Sequence, residues 1–275
     1  MNYVYKYRNR EQYHLEALRE CYFYFSKPSE MNDPFDCYPI IFYDSSKCSE
    51  NELKMFIMEY KGKRESEIDK QEIQDLIIEF QDFTSPYSDK TKKTSELVND
   101  YLKFFSVSSN PENILMWSYY SDSHKGYCIK IKTEQYDNCN WIAFKSHQFK
   151  KISPQTFPVG YLKLDNVNYS KKKPNPINMF QNDSQSRLYQ YILDKFEDWS
   201  HEEESRLLTH PNLMIDPHIQ KIYYNPSIID GIILGYHCSD ELKKELHEIN
   251  HKHYHNKLKF YQANINAHEY QITID

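Results

Sequence analysis

The chain has 275 residues and a formal net charge of -6, with both signs of charge interspersed. That length suffices for a real core in one large domain, and the lack of a basic stripe excludes a dedicated nucleic-acid binder. Only 5 glycines occur, with neither GxGxxG nor GxxxxGK before Ser or Thr, which disfavours Rossmann-type and P-loop nucleotide sites.

In chain order, residues 3–8 alternate aromatic and polar side chains and predict a strand. Residues 11–20 carry Leu15 and Leu18 at helical spacing, and Tyr22 to Phe25 predict a second strand. Met31-Asn32-Asp33-Pro34-Phe35-Asp36 is rich in turn formers, which predicts a rigid loop as readily as a ligand contact. From residue 49 to about 102 the apolar positions fit helical faces and predict a helical insertion. Strand character resumes at 104–108, followed by a short helix over 113–121 and strands at 127–132, 141–144 and 160–169. Residues 183–199 predict a helix, 228–236 a buried strand, 240–251 a helix, and 257–274 a closing hairpin. The whole predicts an α+β, mostly antiparallel single domain with a helical insertion at about 49–102.

The six cysteines, Cys21, Cys37, Cys48, Cys128, Cys139 and Cys238, form no CxxC pair. The N-terminal residues lack the apolar core of a signal peptide, and no apolar run approaches the ~20 residues of a membrane span. Reduced thiols in a cytoplasmic protein, with no membrane partner, are the expectation.

The densest functional residues lie in Trp199-Ser200-His201-Glu202-Glu203-Glu204-Ser205-Arg206, before Leu207-Leu208. Read as the start of a buried strand, this stretch places Glu202, Glu204 and Arg206 on one face. An ion-pair network and a substrate pocket both account for such a face. On one strand the two acids sit about 6–7 Å apart at Cα, so they do not flank a glycosidic bond from both sides. They suit instead a grip on one ribose and electrostatic stabilisation of an oxocarbenium-like transition state. The histidines His247, His251, His253 and His255 fit no zinc signature and predict a surface cluster, so no metal is assigned. Cys128 after His124 invites a nucleophile reading, but a buried structural cysteine is the commoner outcome.

Several motifs align with a known pattern: Tyr5-Lys6-Tyr7-Arg8, Tyr24-Phe25-Ser26-Lys27-Pro28, Asn32-Asp33-Pro34-Phe35-Asp36, Met116-Trp117-Ser118-Tyr119-Tyr120, His124-Lys125-Gly126-Tyr127-Cys128, and Trp199 through Arg206. In this order they resemble the bacterial domain-of-unknown-function family numbered 2971, over almost the whole chain. The layout is also similar, more weakly, to ADP-ribosyltransferases. That resemblance implies a two-sheet core of ADP-ribosyltransferase-like type, with NAD as substrate in a cleft between sheets. It implies Glu204 as catalytic glutamate with Glu202 as its partner, and a first-strand cofactor contact at Tyr7 or Arg8. It further implies cofactor contacts from Ser26, Asn32, Tyr119, Tyr120 and His124, and substrate contacts from Asp33 and Arg206. Arg206 also reads as a plain counter-ion for the acids. The family pattern's Ser-Thr-Ser triplet after the second strand is missing here. The implied activity is ADP-ribosyl transfer or NAD hydrolysis by a defence or toxin effector. Its implied partners are a protein or nucleic-acid acceptor and a partner or antitoxin protein. The other reading is a non-catalytic nucleotide-sensing or protein-interaction module.

Overall fold

The computed structural model describes residues 2–150, 159–209, 216 and 218–275. In chain order it begins with β1 (Asn2–Arg8), α1 (Gln12–Glu20), β2 (Tyr22–Tyr24) and β3 (Ile41–Phe42). Three helices follow, α2 (Glu50–Lys61), α3 (Lys70–Glu79) and α4 (Asp89–Tyr101). Next come β4 (Lys103–Ser108), α5 (Ile114–Tyr120), β5 (Tyr127–Tyr136), β6 (Cys139–Ala143), β7 (Tyr161–Asn166), β8 (Asn168–Ser170) and β9 (Ile177–Asn178). Then come α6 (Ser184–Leu193), β10 (Asp194–Phe196), β11 (Glu204–Thr209), β12 (Lys221–Tyr223), β13 (Ile229–Leu234), α7 (Asp240–His253), β14 (Lys259–Ile265) and β15 (Ile272–Ile274). The protein is α+β with largely antiparallel pairing.

Two compact units emerge. The first comprises Met1–Lys27, Leu102–Val167 and Glu197–Asp275. In it β1, β4, β11, β7, β6 and β5 pair in sequence, each antiparallel to the next, and β5 pairs back to β1. The ring thus has no free edge between β1 and β5, which removes the edge hazard of an open sheet. Beyond β5 the sheet extends through β13, β14 and β15.

Strand alternation sorts the two faces of this ring. Val4, Phe105, Val107, Leu207, Leu164, Leu162, Ile142, Ile129 and Ile131 all join one apolar cluster, closed over by Leu15 and Leu18 of α1 and Leu242, Leu246 and Ile249 of α7. Phe23 stacks on Phe105 with centroids 4.3 Å apart. The other face carries a smaller cluster of Tyr7, Met116, Trp117, Cys128 and Ile233. Trp117 is fully buried and meets Tyr7 edge-on at 5.1 Å.

Two local devices fix the ends of β1 and α5. Gly126 lies so close to β1 that a Cβ there would sit 2.1 Å from the Arg8 carbonyl oxygen, which only glycine avoids. Asn113 caps α5 by accepting from the backbone N–H groups of Leu115 and Met116.

The second unit comprises Pro28–Tyr101 and Asn168–Phe196. The helical stretch expected at 49–102 lies inside it. Leu53 and Ile57 of α2, Ile73 and Leu76 of α3, and Phe180 form its core. A capping box at Ser49 and Glu52 starts α2, as the Ser-x-x-Glu spacing requires. The helix expected over 183–199 ends at Leu193. Asp194 leaves it, accepts a hydrogen bond from Asn168 Nδ2, and starts β10 parallel to β8. Among the described residues no helix is long and apolar enough to cross a membrane.

Candidate functional site

The acidic stretch is not one continuous strand. Glu202 ends a 3₁₀ turn over Glu197–Glu202, and β11 starts only at Glu204. Glu203, between them, has φ of 45°, in the left-handed region that costs a side-chain-bearing residue about 1–2 kcal/mol. Its own N–H donates to the Ser200 carbonyl at 3.2 Å, and three longer-range hydrogen bonds hold it there. The Ser109 N–H donates to the Glu203 carbonyl at 3.1 Å, Ser109 Oγ to Oε2 at 3.0 Å, and Asn110 Nδ2 to Oε1 at 2.8 Å. The kink corrects the expectation that Glu202, Glu204 and Arg206 share a strand face. Only Glu204 and Arg206 do, and Glu202 approaches from the turn.

Each acid has its own partner. Arg206 donates Nε to Glu204 Oε1 at 2.7 Å and a terminal nitrogen to Oε2 at 3.0 Å. The guanidinium is fully buried and lies 4.6 Å from the Phe104 ring centroid. This bidentate grip makes Arg206 the counter-ion of Glu204. Glu202 accepts from the Tyr120 hydroxyl at 2.5 Å, from the last residue of α5. Asn113 Nδ2 donates to the His201 carbonyl at 2.5 Å and ties the start of α5 to the turn.

The register places the remaining first-unit residues. Glu204 is the cross-strand partner of Ser108, and Ser108 of Tyr5, so all three side chains share one face. Tyr5 and Glu204 are then two strand spacings apart, roughly 10 Å. Tyr7 shares this face and donates its hydroxyl to the Asn110 carbonyl at 2.7 Å. Burial, ahead of all other influences, raises its phenol well above the ordinary range. Ser26 bridges Phe104 through paired backbone bonds and lies on the same face. Arg8 does not. Its cross-strand partner is Tyr127, on the face of the larger core. Of the two first-strand candidates, Tyr7 is the one on the same sheet face as Glu204.

Tyr119 is exposed, with its ring 6.1 Å from that of His201. His124 sits in a turn of three consecutive left-handed residues, Asp122, Ser123 and His124, and its Nε2 lies 3.1 Å from Ser118 Oγ. Burial, then the charge of His237, lowers its pKa. Asn32 and Asp33 belong to the second unit. There Asp33 accepts from the Phe35 N–H at 2.8 Å in an Asx turn, and the neighbouring Asp36 pairs with buried Lys195 at 3.4 Å. Cys128 is fully buried, and burial raises its thiol well above the usual value, the opposite of a nucleophile's environment. His247 stacks on Phe260 at 3.9 Å.

Ser109, Asn110 and Asn113 support the acids and were not singled out from the sequence, and His201 was named with the acidic stretch but given no role. Asn113 was open to detection, because an asparagine before an apolar helical run is an N-cap signal. His201 Nδ1 lies 3.0 Å from the Asp198 carbonyl, and among the described residues its buried Nε2 has no hydrogen-bond partner.

Fold and site together define an α+β protein with a sealed acid–guanidinium pair beside a second, tyrosine-bonded acid. Residues 116–207 match the family model DUF2971, described as a protein of unknown function. The match runs from α5 into β11 and includes the Met116–Tyr120, His124–Gly126 and Trp199–Arg206 motifs. It covers only part of the chain and leaves out Tyr5–Arg8 and Asn32–Asp36. No curated protein and no solved structure matches the chain.

Proposed function

We propose that the protein is an NAD-dependent ADP-ribosyltransferase-like enzyme with a core of that type, acting by ADP-ribosyl transfer or NAD hydrolysis. The observation that carries the reading is the common face of Tyr7, Ser26 and Glu204, with β1 and β11 separated only by β4. In this reading the nicotinamide ribose lies against Glu204. The bond from ribose C1′ to the nicotinamide nitrogen breaks, and its electron pair leaves with nicotinamide. Positive charge develops at C1′ and the ring oxygen, where the Glu204 carboxylate stabilises it. Glu202, oriented by Tyr120, accepts the proton of the incoming nucleophile as that nucleophile bonds to C1′. With water as nucleophile the products are ADP-ribose, nicotinamide and a proton.

The test is nicotinamide release from NAD by the purified protein, followed by chromatography. Glu204→Gln should lower the rate about 10²–10³-fold, the usual loss for one electrostatic group aimed at developing charge. A wild-type rate equal to the buffer blank would overturn the proposal. One observation favours the second reading, a nucleotide-sensing module without turnover. Both oxygens of Glu204 are already engaged by Arg206, and its side chain is 5% exposed. NAD binding by calorimetry without nicotinamide release would select it.

A further inference from the structure

Arg8 is the charged group on β1 that the proposed reaction leaves unused. Its backbone is clamped: Ser121 Oγ donates to its carbonyl at 3.3 Å, and Gly126 packs directly against it. Its side chain points away from Glu204, toward the larger core, and lies 5.9 Å from the Phe105 ring centroid. Among the described residues the guanidinium has no hydrogen bond and no ion pair. The groups acting most on its charge are the hydroxyls of Tyr127, Tyr13 and Tyr224 and the Cys128 thiol, with no carboxylate among them. Burial is the main cause of its lowered pKa. The residue is only half-buried, so the unpaired fork keeps a side open to an approaching anion.

A second observation lies next to it. Tyr127, the cross-strand partner of Arg8, is fully buried, and among the described residues its hydroxyl has no hydrogen-bond partner. Glu245, which acts on Tyr127, is already taken by Arg19. The neighbourhood is otherwise positive. Lys6, on the same face of β1, places its ammonium 4.8 Å from the Phe105 centroid and donates to the Ser106 carbonyl. His14 is pushed down to about 3 by burial, then by the charges of Arg8 and Lys6, so it stays neutral near pH 7.

We propose that Arg8 and Tyr127 form a receptor for a phosphate group, on the sheet face opposite Glu204. The guanidinium fork binds two phosphate oxygens, and the tyrosine hydroxyl donates to a third. Lys6 adds charge without a direct contact being required. The site does not depend on the reaction assigned to Glu204. The phosphate comes from free phosphate or from a phosphate ester, and the chemistry of recognition is the same for both.

The test is titration of the intact chain with inorganic phosphate and, in parallel, with ribose 5-phosphate, followed by calorimetry at low salt. Wild type should bind at least one of them. Arg8→Met should weaken binding roughly ten- to hundredfold, and Tyr127→Phe about three- to tenfold. Arg8→Lys keeps the charge but not the fork and should fall between wild type and Arg8→Met. Tighter binding of ribose 5-phosphate assigns the site to esters, and equal or tighter binding of inorganic phosphate assigns it to the free anion. A thermal melt gives a second readout. Saturating ligand should raise the Tm of wild type but not of Arg8→Met, and ligand-free Arg8→Met should melt no lower than wild type. Failure of wild type to bind either probe, or wild-type affinity in Arg8→Met, would overturn the proposal.

Discussion

The two faces of β1 are built on opposite terms. On the face toward Glu204, Tyr7, Tyr120, Glu202, Glu204 and Arg206 each have a polar partner within the protein. On the other face Arg8 and Tyr127 are cross-strand partners, and among the described residues neither guanidinium nor hydroxyl has a hydrogen-bond partner. Strand alternation alone separates the two sets, since Tyr7 and Arg8 are neighbours in sequence. The difference teaches that closeness to the acidic motif and readiness to take a ligand are distinct properties. The Glu204 face pairs its charges within the protein, whereas on the Arg8 face no carboxylate is paired with the guanidinium among the described residues.

The largest effect should come from breaking the sealed pair. Arg206→Ala leaves Glu204 buried without its counter-ion and should destabilise the protein by about 3–5 kcal/mol in urea unfolding. The double variant Arg206→Met with Glu204→Leu should recover most of that loss. A cost near zero for Arg206→Ala would mean that the pair does not seal this face.

The other face has a pH signature. His14 has an ordinary value of 6.5 and is held at about 3 in the folded protein. The unfolded chain therefore binds a proton in that window that the folded protein refuses. The contribution of His14 is fully present above pH 6.5 and is lost as pH falls toward 3. The expected slope is no more than about 1.4 kcal/mol per pH unit. His14→Gln should flatten the wild-type curve there, and an unchanged slope would remove His14 from the account. If phosphate binds at Arg8, it should also raise the His14 pKa, measurable by NMR, by cancelling part of the charge that depresses it.

A smaller effect is expected at the link between α5 and the turn. Asn113→Ala removes the helix cap and the bond to His201 and should cost about 1 kcal/mol. On the Glu204 face this loosening should lower any NAD turnover more than it lowers stability. The smallest effect is Arg8→Met, expected to lie between no change and a gain of about 1 kcal/mol because it removes a charge that has no paired acid among the described residues. Its near-neutrality beside the large cost of Arg206→Ala is the sharpest contrast between the faces.

Much of the first unit was readable from pattern. β1, α1, α5, β5, β13, α7 and the β14–β15 hairpin all lie where alternation and helical spacing predict them. The acidic stretch was misread for one physical reason. Glu203 adopts a left-handed backbone that nothing in Glu202-Glu203-Glu204 signals, because the bonds that hold it come from Ser109 and Asn110, far away in sequence. The strand expected over 160–169 ends at Asn166, and β8 pairs with β10 instead, which is a tertiary choice. Which first-strand residue faces Glu204 depended on the register of β1 against β4 and β5, which no single-strand pattern contains. The empty valence of Arg8 was likewise invisible, because it depends on which side chains fail to reach it.

The central claim, that the Glu204 face cleaves the nicotinamide bond of NAD, is tested most directly by quantifying free nicotinamide after incubating wild type, Glu204→Gln and Tyr120→Phe with NAD. Wild type should release nicotinamide, Glu204→Gln should be slowed about 10²–10³-fold, and Tyr120→Phe should show a smaller loss. Equal rates in wild type and Glu204→Gln, or no release by wild type, would contradict it.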